Sequence, residues 1–429
     1  MTARGTKRSS QPDGAGRNTD AFVEQVGKDE AEIVGVCRDL VRIPSENPPG
    51  DTTEVFAFAR DLLERWKFAP RVVTPAPGRQ NLIATWDSGR PGRHLAFNGH
   101  LDVFPAGRRG RWTHDPFGGE IEGGRLYGRG TTDMKGGVTA SLFAFRALRS
   151  FEGDLAGKAT LSLVCDEENF AEHGARYLVG KHPEVLGDAL INGEPSTPSI
   201  IRFGDKGLVW AEVVFRTRGG HAAYAHLSEN AIERALRFLS AIKAIERWKS
   251  PLPGALARHL ASVEGAMDRA VGKGATAVAR RYVTNLGLIE GGIKVNMIAP
   301  ECRVEVDTRI PIGGRVAPVV AALKKVAREC GGELTVVNTA EPSVTGWDHP
   351  IYQIGKRVLE RVAGQKTIFA VGLGCNDARL WRYEGVPGLI YGPTPHGMGT
   401  VDEYVEIADL LRVTMVHGAT ALEYLARPS

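Results

Sequence analysis

Acidic side chains and a histidine follow short apolar runs in the first half of the chain, where each run would end. His100 and Asp102 follow one run, and Glu167 and Glu168 follow a later one. Adjacent carboxylates at a strand end are costly unless a cation or a proton compensates them. One such group can bind a metal ion while its neighbour acts as general base on water. The spacing therefore indicates metal-assisted hydrolysis, with a solvated acidic loop as the alternative.

Three further features support a metal site. In an extended chain residues 100 and 102 point the same way, so Asp102 can fix the tautomer and direction of a metal-binding His100; a surface pair is the alternative. Asp133 lies in the glycine-rich segment 128–137, where a carboxylate can bridge two metals, and the spacing matches neither the P-loop nor the dinucleotide fingerprint. Glu194 follows a fourth apolar run. Four such signals in succession point to one shared site.

Strand-length apolar runs alternate with helical stretches, which predicts an α/β fold with a mainly parallel central sheet. The carboxyl ends of parallel strands meet at one edge of a sheet, where ligands bind. These ends carry the candidate residues. The runs are 81–86, 94–98, 159–164 and 188–191, and a helix is predicted over 137–148.

The pattern changes after residue 206 to a two-layer β-α-β-β-α-β unit. It contains an insertion, roughly 250–280, that we leave unassigned. The predicted organisation is a disordered tail over 1–20, a metal-binding domain over 21–206 and 340–429, and a second domain over 207–339.

Composition excludes several classes of protein. The 429 residues are 42% hydrophobic and 24% charged, and the net charge of +4 is held partly in the tail, so a nucleic-acid partner is not expected. Five cysteines without a close C-x-x-C pair indicate a reducing compartment, and we expect a cytoplasmic protein. No apolar run is long enough to span a membrane, and the first twenty residues lack the apolar core of a secretory signal.

These motifs, taken in order, resemble the dinuclear zinc amidohydrolases and peptidases that include acetylornithine deacetylase, succinyl-diaminopimelate desuccinylase, aminoacylase and glutamate carboxypeptidase. The resemblance runs from about residue 29 to the end. It rests on Asn-Pro-Pro-Gly, Gly-His-Leu-Asp, Gly-Arg-Gly-Thr-Thr-Asp-Met-Lys-Gly-Gly, Asp-Glu-Glu and Gly-Glu-Pro, and continues through the segments 218–226, 294–298 and 307–309. It implies a zinc-peptidase-like catalytic domain, an inserted dimerisation or lid domain, and a homodimer.

The resemblance also implies a role for each matching residue. Two zinc ions per subunit, replaceable by Co²⁺, would share Asp133; one would also bind His100 and Glu194, the other Glu168 and a late histidine. Asp102 would orient His100, Glu167 would be the general base on a zinc-activated water, and the Asp133–Met134 peptide would be cis. The remaining residues would contact the substrate. His221 would polarise the scissile carbonyl in the partner's site, and Asn296 and Arg309 would hold a carboxylate or acyl oxygen. Asp377 and Arg379 would lie near the substrate.

One departure from the family pattern concerns the late histidine. The family usually has His three residues before the final Asp/Asn-Glu pair, but Gly399 stands there in this chain. His396 is the nearby histidine and is the predicted ligand, with His349 as a distant alternative. If neither binds, the second metal is held weakly or the enzyme works with one.

The predicted activity is cleavage of the amide bond of an N-acyl amino acid, as in a deacetylase or desuccinylase. A dipeptidase or carboxypeptidase on the same scaffold and hydrolysis of a carbamoyl amino acid are the enzymatic alternatives. A non-catalytic small-molecule binder that has lost one metal is the alternative from another class. The altered loop at His396 favours it, whereas retention of Glu167 and Asp102 counts against it.

Overall fold

The computed structural model describes residues 14–364 and 366–427. The helices are α1 Gly14–Lys28, α2 Glu30–Arg42, α3 Thr53–Arg65, α4 Gly136–Ser150, α5 Ala175–Lys181, α6 Ala231–Ile242, α7 Gly254–Ser262, α8 Glu264–Val271, α9 Ala275–Ala279, α10 Val316–Glu329, α11 Pro350–Ala363, α12 Ala378–Tyr383 and α13 Ile407–Tyr424. The strands are β1 Arg71–Ala76, β2 Arg79–Asp87, β3 His94–His100, β4 Ile121–Glu122, β5 Arg125–Tyr127, β6 Lys158–Val164, β7 Ala189–Asn192, β8 Ile200–Asp205, β9 Gly207–Arg216, β10 Gly220–His221, β11 Val283–Gly291, β12 Met297–Ile298, β13 Glu301–Ile310, β14 Gly332–Ala340, β15 Ser343–Val344, β16 Ile368–Gly372, β17 Gly388–Ile390 and β18 Tyr404–Glu406.

The chain folds into two compact units. Unit 1 comprises the residues up to Ile201, Trp347–Thr367 and the residues from Glu384 onward; unit 2 comprises Arg202–Gly346 and Ile368–Tyr383. The sequence predicts Ile368–Tyr383 in the first domain. In the structure this segment groups with unit 2, where β16 pairs with β8.

The central sheet of unit 1 has the strand order β1-β2-β6-β3-β7-β17. Strand β3 lies parallel to β6 and β7, and β7 lies parallel to β17. The α/β class with a mainly parallel sheet is therefore confirmed. The other edge differs, because β1 and β2 form an antiparallel hairpin that joins β6 antiparallel. Helices α4 and α13 are buried along most of their length and pack on each other beside the sheet.

The predicted disordered tail is wrong for residues 14–20, which form the first part of helix α1. Thr19, Phe22 and Val26 face one side of α1 and are buried. Gly418 of α13 leaves room for the Phe22 ring, since a Cβ at that position would lie 2.0 Å from it. Residues 14–20 are small or polar and give no sign of this helix, and the apolar members of the stripe come after the predicted tail. Residues 1–13 lie outside the described residues.

Unit 2 contains a four-stranded antiparallel sheet in the order β11-β13-β9-β14. Helices α6 and α10 pack against this sheet around a shared apolar core, which confirms the predicted β-α-β-β-α-β order. The unassigned insertion forms the three short helices α7, α8 and α9. Among the residues that the structure describes, no helix combines the length and apolarity needed to cross a membrane.

Candidate metal centre

The candidate residues of unit 1 follow three adjacent parallel strands. In the register of these strands, His100 at the end of β3 pairs with Val164 of β6, and Asn98 pairs with Asn192 of β7. The acidic segment after β6 and Glu194 after β7 therefore emerge at the same sheet edge as His100. The sequence order of motifs becomes a spatial cluster because the three strands share one direction.

Two glycines allow the start of α4 to approach this edge. A Cβ on Gly137 would lie 2.0 Å from the carbonyl oxygen of Gly193, and a Cβ on Gly193 would lie 2.6 Å from the Cα of Gly137. Neither position can accept a side chain without moving the backbone. This contact brings the turn that carries Asp133 next to Glu194.

Three side chains at this edge form a group with the composition of a metal site. The Nε2 atom of His100 lies 3.2 Å from Oδ1 of Asp133 and 3.4 Å from Oε1 of Glu194. The ligand atoms of the three residues lie within 4.8 Å of one another. The peptide bond between Asp133 and Met134 is cis, as the resemblance implied.

His100 is held on its other side by Asp102. Its Nδ1 atom lies 2.9 Å from the backbone carbonyl oxygen of Asp102 and 3.5 Å from the carboxylate of the same residue. Burial acts to lower the pKa of His100, but the carboxylates of Asp102, Asp133 and Glu194 outweigh it and hold the pKa well above its usual value. When the N–H at Nδ1 of an imidazole donates to a fixed acceptor, Nε2 is left to bind a metal ion.

The carboxylate of Asp102 also anchors the acidic loop. It accepts the backbone N–H of Glu167 at 3.2 Å and that of Glu168 at 3.1 Å. Burial acts to raise the pKa of Asp102, but contacts with His100 and Asn47 outweigh it and lower the pKa below its usual value. Asp102 thus stays ionised and connects the histidine segment with the predicted base and ligand.

Glu168 supplies a test of whether the site fits a cation. Its Oε1 atom is buried and has no hydrogen-bond partner among the described residues. Burial raises the pKa of Glu168 well above its usual value, and the neighbouring charge of Asp133 adds to this shift. A buried carboxylate oxygen without a donor, beside an imidazole and two further carboxylates, matches the donor types that bind zinc. The residues fit a divalent metal ion.

Glu403 is a buried brace that the sequence analysis did not single out. Its Oε1 accepts the backbone N–H and the hydroxyl of Thr132, each at 3.0 Å, and lies 3.4 Å from the backbone nitrogen of Asp133. Its Oε2 is paired with Arg129 at 2.5 Å. Arg129 and Glu403 both occur in the family motifs, but only the fold shows that they hold the turn that carries Asp133.

The structure places His396 in an aromatic stack. Its ring lies parallel to that of Tyr404, with centroids 4.6 Å apart and an interplanar angle of 5°. The two residues also pair across an isolated bridge. His396 and Glu168 are not part of the three-residue group formed by His100, Asp133 and Glu194 among the described residues. A metal-binding role for His396 therefore stays a prediction.

The predicted substrate residues lie in unit 2. His221 of β10 and Asn296 are both exposed, and the backbone oxygen of Asn296 accepts the N–H of the residue after His221. Arg309 on β13 donates through Nε to Asp307 at 2.7 Å. Asp377 and Arg379 are buried and lie 3.7 Å apart.

Comparison with known proteins gives a consistent result. The model of peptidase family M20/M25/M40 matches residues 96–423. The chain is 30% identical over 404 residues to a succinyl-diaminopimelate desuccinylase of Rhodospirillum centenum, covering 91% of this chain and 96% of that one. For the enzyme of the same name from Methylorubrum extorquens, identity is 29% over 401 residues, covering 90% and 97%.

Solved structures agree on the fold. The M20 family metallo-carboxypeptidase Sso-CP2 from Sulfolobus solfataricus superposes with a TM-score of 0.79 at 19% identity, covering 92% of this chain and 99% of that chain. Human carnosine dipeptidase 1 gives a TM-score of 0.78 at 19% identity, covering 95% and 98%.

Proposed function

Because the chain belongs to peptidase family M20/M25/M40 and is a metal-dependent amidohydrolase or peptidase, we propose that it cleaves the amide bond of an N-acyl amino acid. The observation that carries the proposal is the convergence of His100, Asp133 and Glu194 on one another beside a buried, unpartnered oxygen of Glu168. The desuccinylase names of relatives that cover nine-tenths of this chain support an acyl amino acid as substrate.

The proposed metal content is two zinc ions per subunit, with Co²⁺ as a substitute. His100, Asp133 and Glu194 would hold one ion, and Asp133, Glu168 and His396 the other. Bound zinc supplies an activated water and a Lewis acid for the scissile carbonyl. Stacking on Tyr404 supports the assignment of His396, because it fixes the plane of the imidazole.

In this proposal Glu167 acts as the general base. Its backbone is fixed by Asp102, so its side chain starts from a defined position at the sheet edge. It would take a proton from the attacking water and return it to the leaving amine. His221 would polarise the scissile carbonyl, and Asn296 and Arg309 would bind the carboxylate or acyl oxygen of the substrate. The two-pronged donor geometry of an arginine suits that contact. Asp377 and Arg379 would lie near the substrate.

We further propose a homodimer formed through unit 2, in which His221 of one subunit reaches the site of the other. Strand β11 is an edge strand and exposes Leu286 and Ile289, and the following loop exposes Ile293 and Val295. Exposed apolar side chains beside an unpaired strand edge are typical of an interface between copies. A cytoplasmic location is supported by the five free cysteines.

A substrate panel tests the proposed function. The protein, loaded with zinc or cobalt, is assayed against N-acetyl and N-succinyl amino acids, carbamoyl amino acids and dipeptides. We expect hydrolysis of an N-acyl amino acid, and a fall in kcat of about 10²–10⁴-fold in Glu167→Gln with the metal content unchanged. Preference for dipeptides would establish the peptidase alternative. Absence of turnover on the whole panel would support the binder, and full activity of Glu167→Gln would remove the assigned base.

A further inference from the structure

The loop that contains Asn-Pro-Pro-Gly lies beside the acidic strand ends of unit 1. Its first residue, Asn47, is 3% exposed. The amide nitrogen of Asn47 lies 2.9 Å from Oδ2 of Asp102 and 3.1 Å from Oδ1 of Asp166. Its amide oxygen lies 3.4 Å from Nη1 of Arg79. One buried amide therefore donates to two carboxylates, and the arginine contact fixes which end of the amide faces them.

The two carboxylates need this donor because both are buried. Asp102 and Asp166 are at most 1% exposed, so water does not screen the repulsion between them. Arg79 contributes a cation, with Nη1 3.5 Å from Oδ1 of Asp166. The same guanidinium donates to the carbonyl oxygens of Pro49 and Gly50 at 2.8 and 2.7 Å. Arg79 thus fixes the loop through its backbone carbonyls, and Asn47 bridges the carboxylates of Asp102 and Asp166.

Asp102 and Asp166 belong to the two segments that carry the proposed chemistry. Asp102 faces His100 and accepts the N–H groups of Glu167 and Glu168. Asp166 directly precedes Glu167, has a left-handed φ of 69°, and accepts the N–H of His173 at 3.2 Å through its second oxygen. The position of Asn47 therefore bears on both segments at once.

We propose that Asn47 is a positioning residue that holds the segments 100–102 and 166–168 in their relative places, with Arg79 as the anchor of its loop. The inference rests on the proposed function for its link to catalysis. Asparagine is the side chain that this place requires: alanine provides no donor, serine provides one, and aspartate adds a third buried carboxylate.

Hydrogen exchange tests the positioning without any substrate. In Asn47→Ala we expect faster exchange of the amides in 165–169, since the acceptor Asp102 loses its partner, and unchanged exchange in unit 2. Metal-free protein titrated with Co²⁺ should show a lower affinity, by at most the about 10–100-fold that follows loss of an outer contact of a ligand, because Asn47 acts on His100 through Asp102.

Leu422→Ala is the matched control, because Leu422 is buried in α13 and its truncation destabilises unit 1 by packing alone. When Leu422→Ala lowers the melting temperature as much as Asn47→Ala does, it should change neither the hydrogen exchange of 165–169 nor the affinity for Co²⁺. Equal effects in the control, or wild-type exchange in Asn47→Ala, would overturn the proposal. If Asn47→Ala behaves as expected and wild type cleaves no acyl amino acid, the substrate assignment fails and the positioning stands. If wild type binds no Co²⁺, the metal assignment fails and hydrogen exchange alone decides on Asn47.

Discussion

Removal of the Glu403 carboxylate is expected to destabilise unit 1 strongly. Glu403 is fully buried, and its partner Arg129 is 2% exposed. Deleting one member of a buried ion pair leaves an uncompensated charge and typically costs about 3–5 kcal/mol of unfolding free energy. The N–H of Thr132 also loses its acceptor, which contributes about 1–3 kcal/mol to such a loss. We therefore expect Glu403→Ala to lower the free energy of unfolding by at least about 3 kcal/mol.

A double-mutant cycle separates the ion pair from packing. Arg129→Met and Glu403→Leu remove one charge each, and the double variant removes both. We expect the double variant to lose less than the sum of the two single losses, by about 3 kcal/mol, because no charge is left unpaired. Urea unfolding of all four proteins under chelator gives the four free energies without a contribution from bound metal. If the two single losses sum to the loss of the double variant within about 0.5 kcal/mol, the ion pair between Arg129 and Glu403 makes no contribution of its own, and the reasoning is refuted.

Three further predictions concern separate parts of the chain. His396→Ala should reduce bound zinc from about two ions per chain to about one, measured by elemental analysis. Burial lowers the pKa of His417 to about 4, so below pH 6.5 the unfolded chain gains a proton that the folded chain does not. The free energy of unfolding of wild type should therefore fall by up to ~3 kcal/mol between pH 6.5 and 4, and His417→Gln should lack this loss. Lys206 donates to the carbonyl oxygens of Val278 and Arg281, so Lys206→Met should speed tryptic cleavage within 269–281.

Each of these predictions has a result that contradicts it. Zinc content of about two in His396→Ala would exclude that histidine as a ligand. A parallel pH dependence of the two proteins would show that His417 does not titrate as described. Unchanged cleavage in Lys206→Met, with Lys325→Met on the exposed face of α10 as control, would show that the buried ammonium does not hold the insertion.

The family and the α/β fold were predictable because they depend on local patterns. Alternating apolar runs and helices indicated the parallel strands β3, β6 and β7, and the motif order identified the family that the comparisons confirm. The start of helix α1 was missed because residues 14–20 are small or polar and carry no apolar periodicity. The hairpin β1–β2 was missed because its outer strand is half exposed and carries a proline.

The contacts that hold the site in place were not predictable in the same way. Glu403 meets Thr132 across 271 residues, and Asn47 meets Asp166 across 119. A single sequence records which residue types occur, but their pairing over such distances follows from sheet register and loop packing. His396 illustrates the difference. Its residue type indicated a metal ligand, whereas its stacking on Tyr404 became visible only in the folded structure.

The position of Glu403 has a consequence for synthesis of the protein. His100, Asp133, Glu168 and Glu194 have all left the ribosome well before residue 403 is translated. The turn that carries Asp133 gains the contacts of Glu403 only when the segment around residue 403 folds back onto it. A nascent chain that has not reached residue 403, or a chain truncated before it, therefore possesses these acidic and histidine side chains without their final arrangement, and the centre is complete only after residue 403 has been translated.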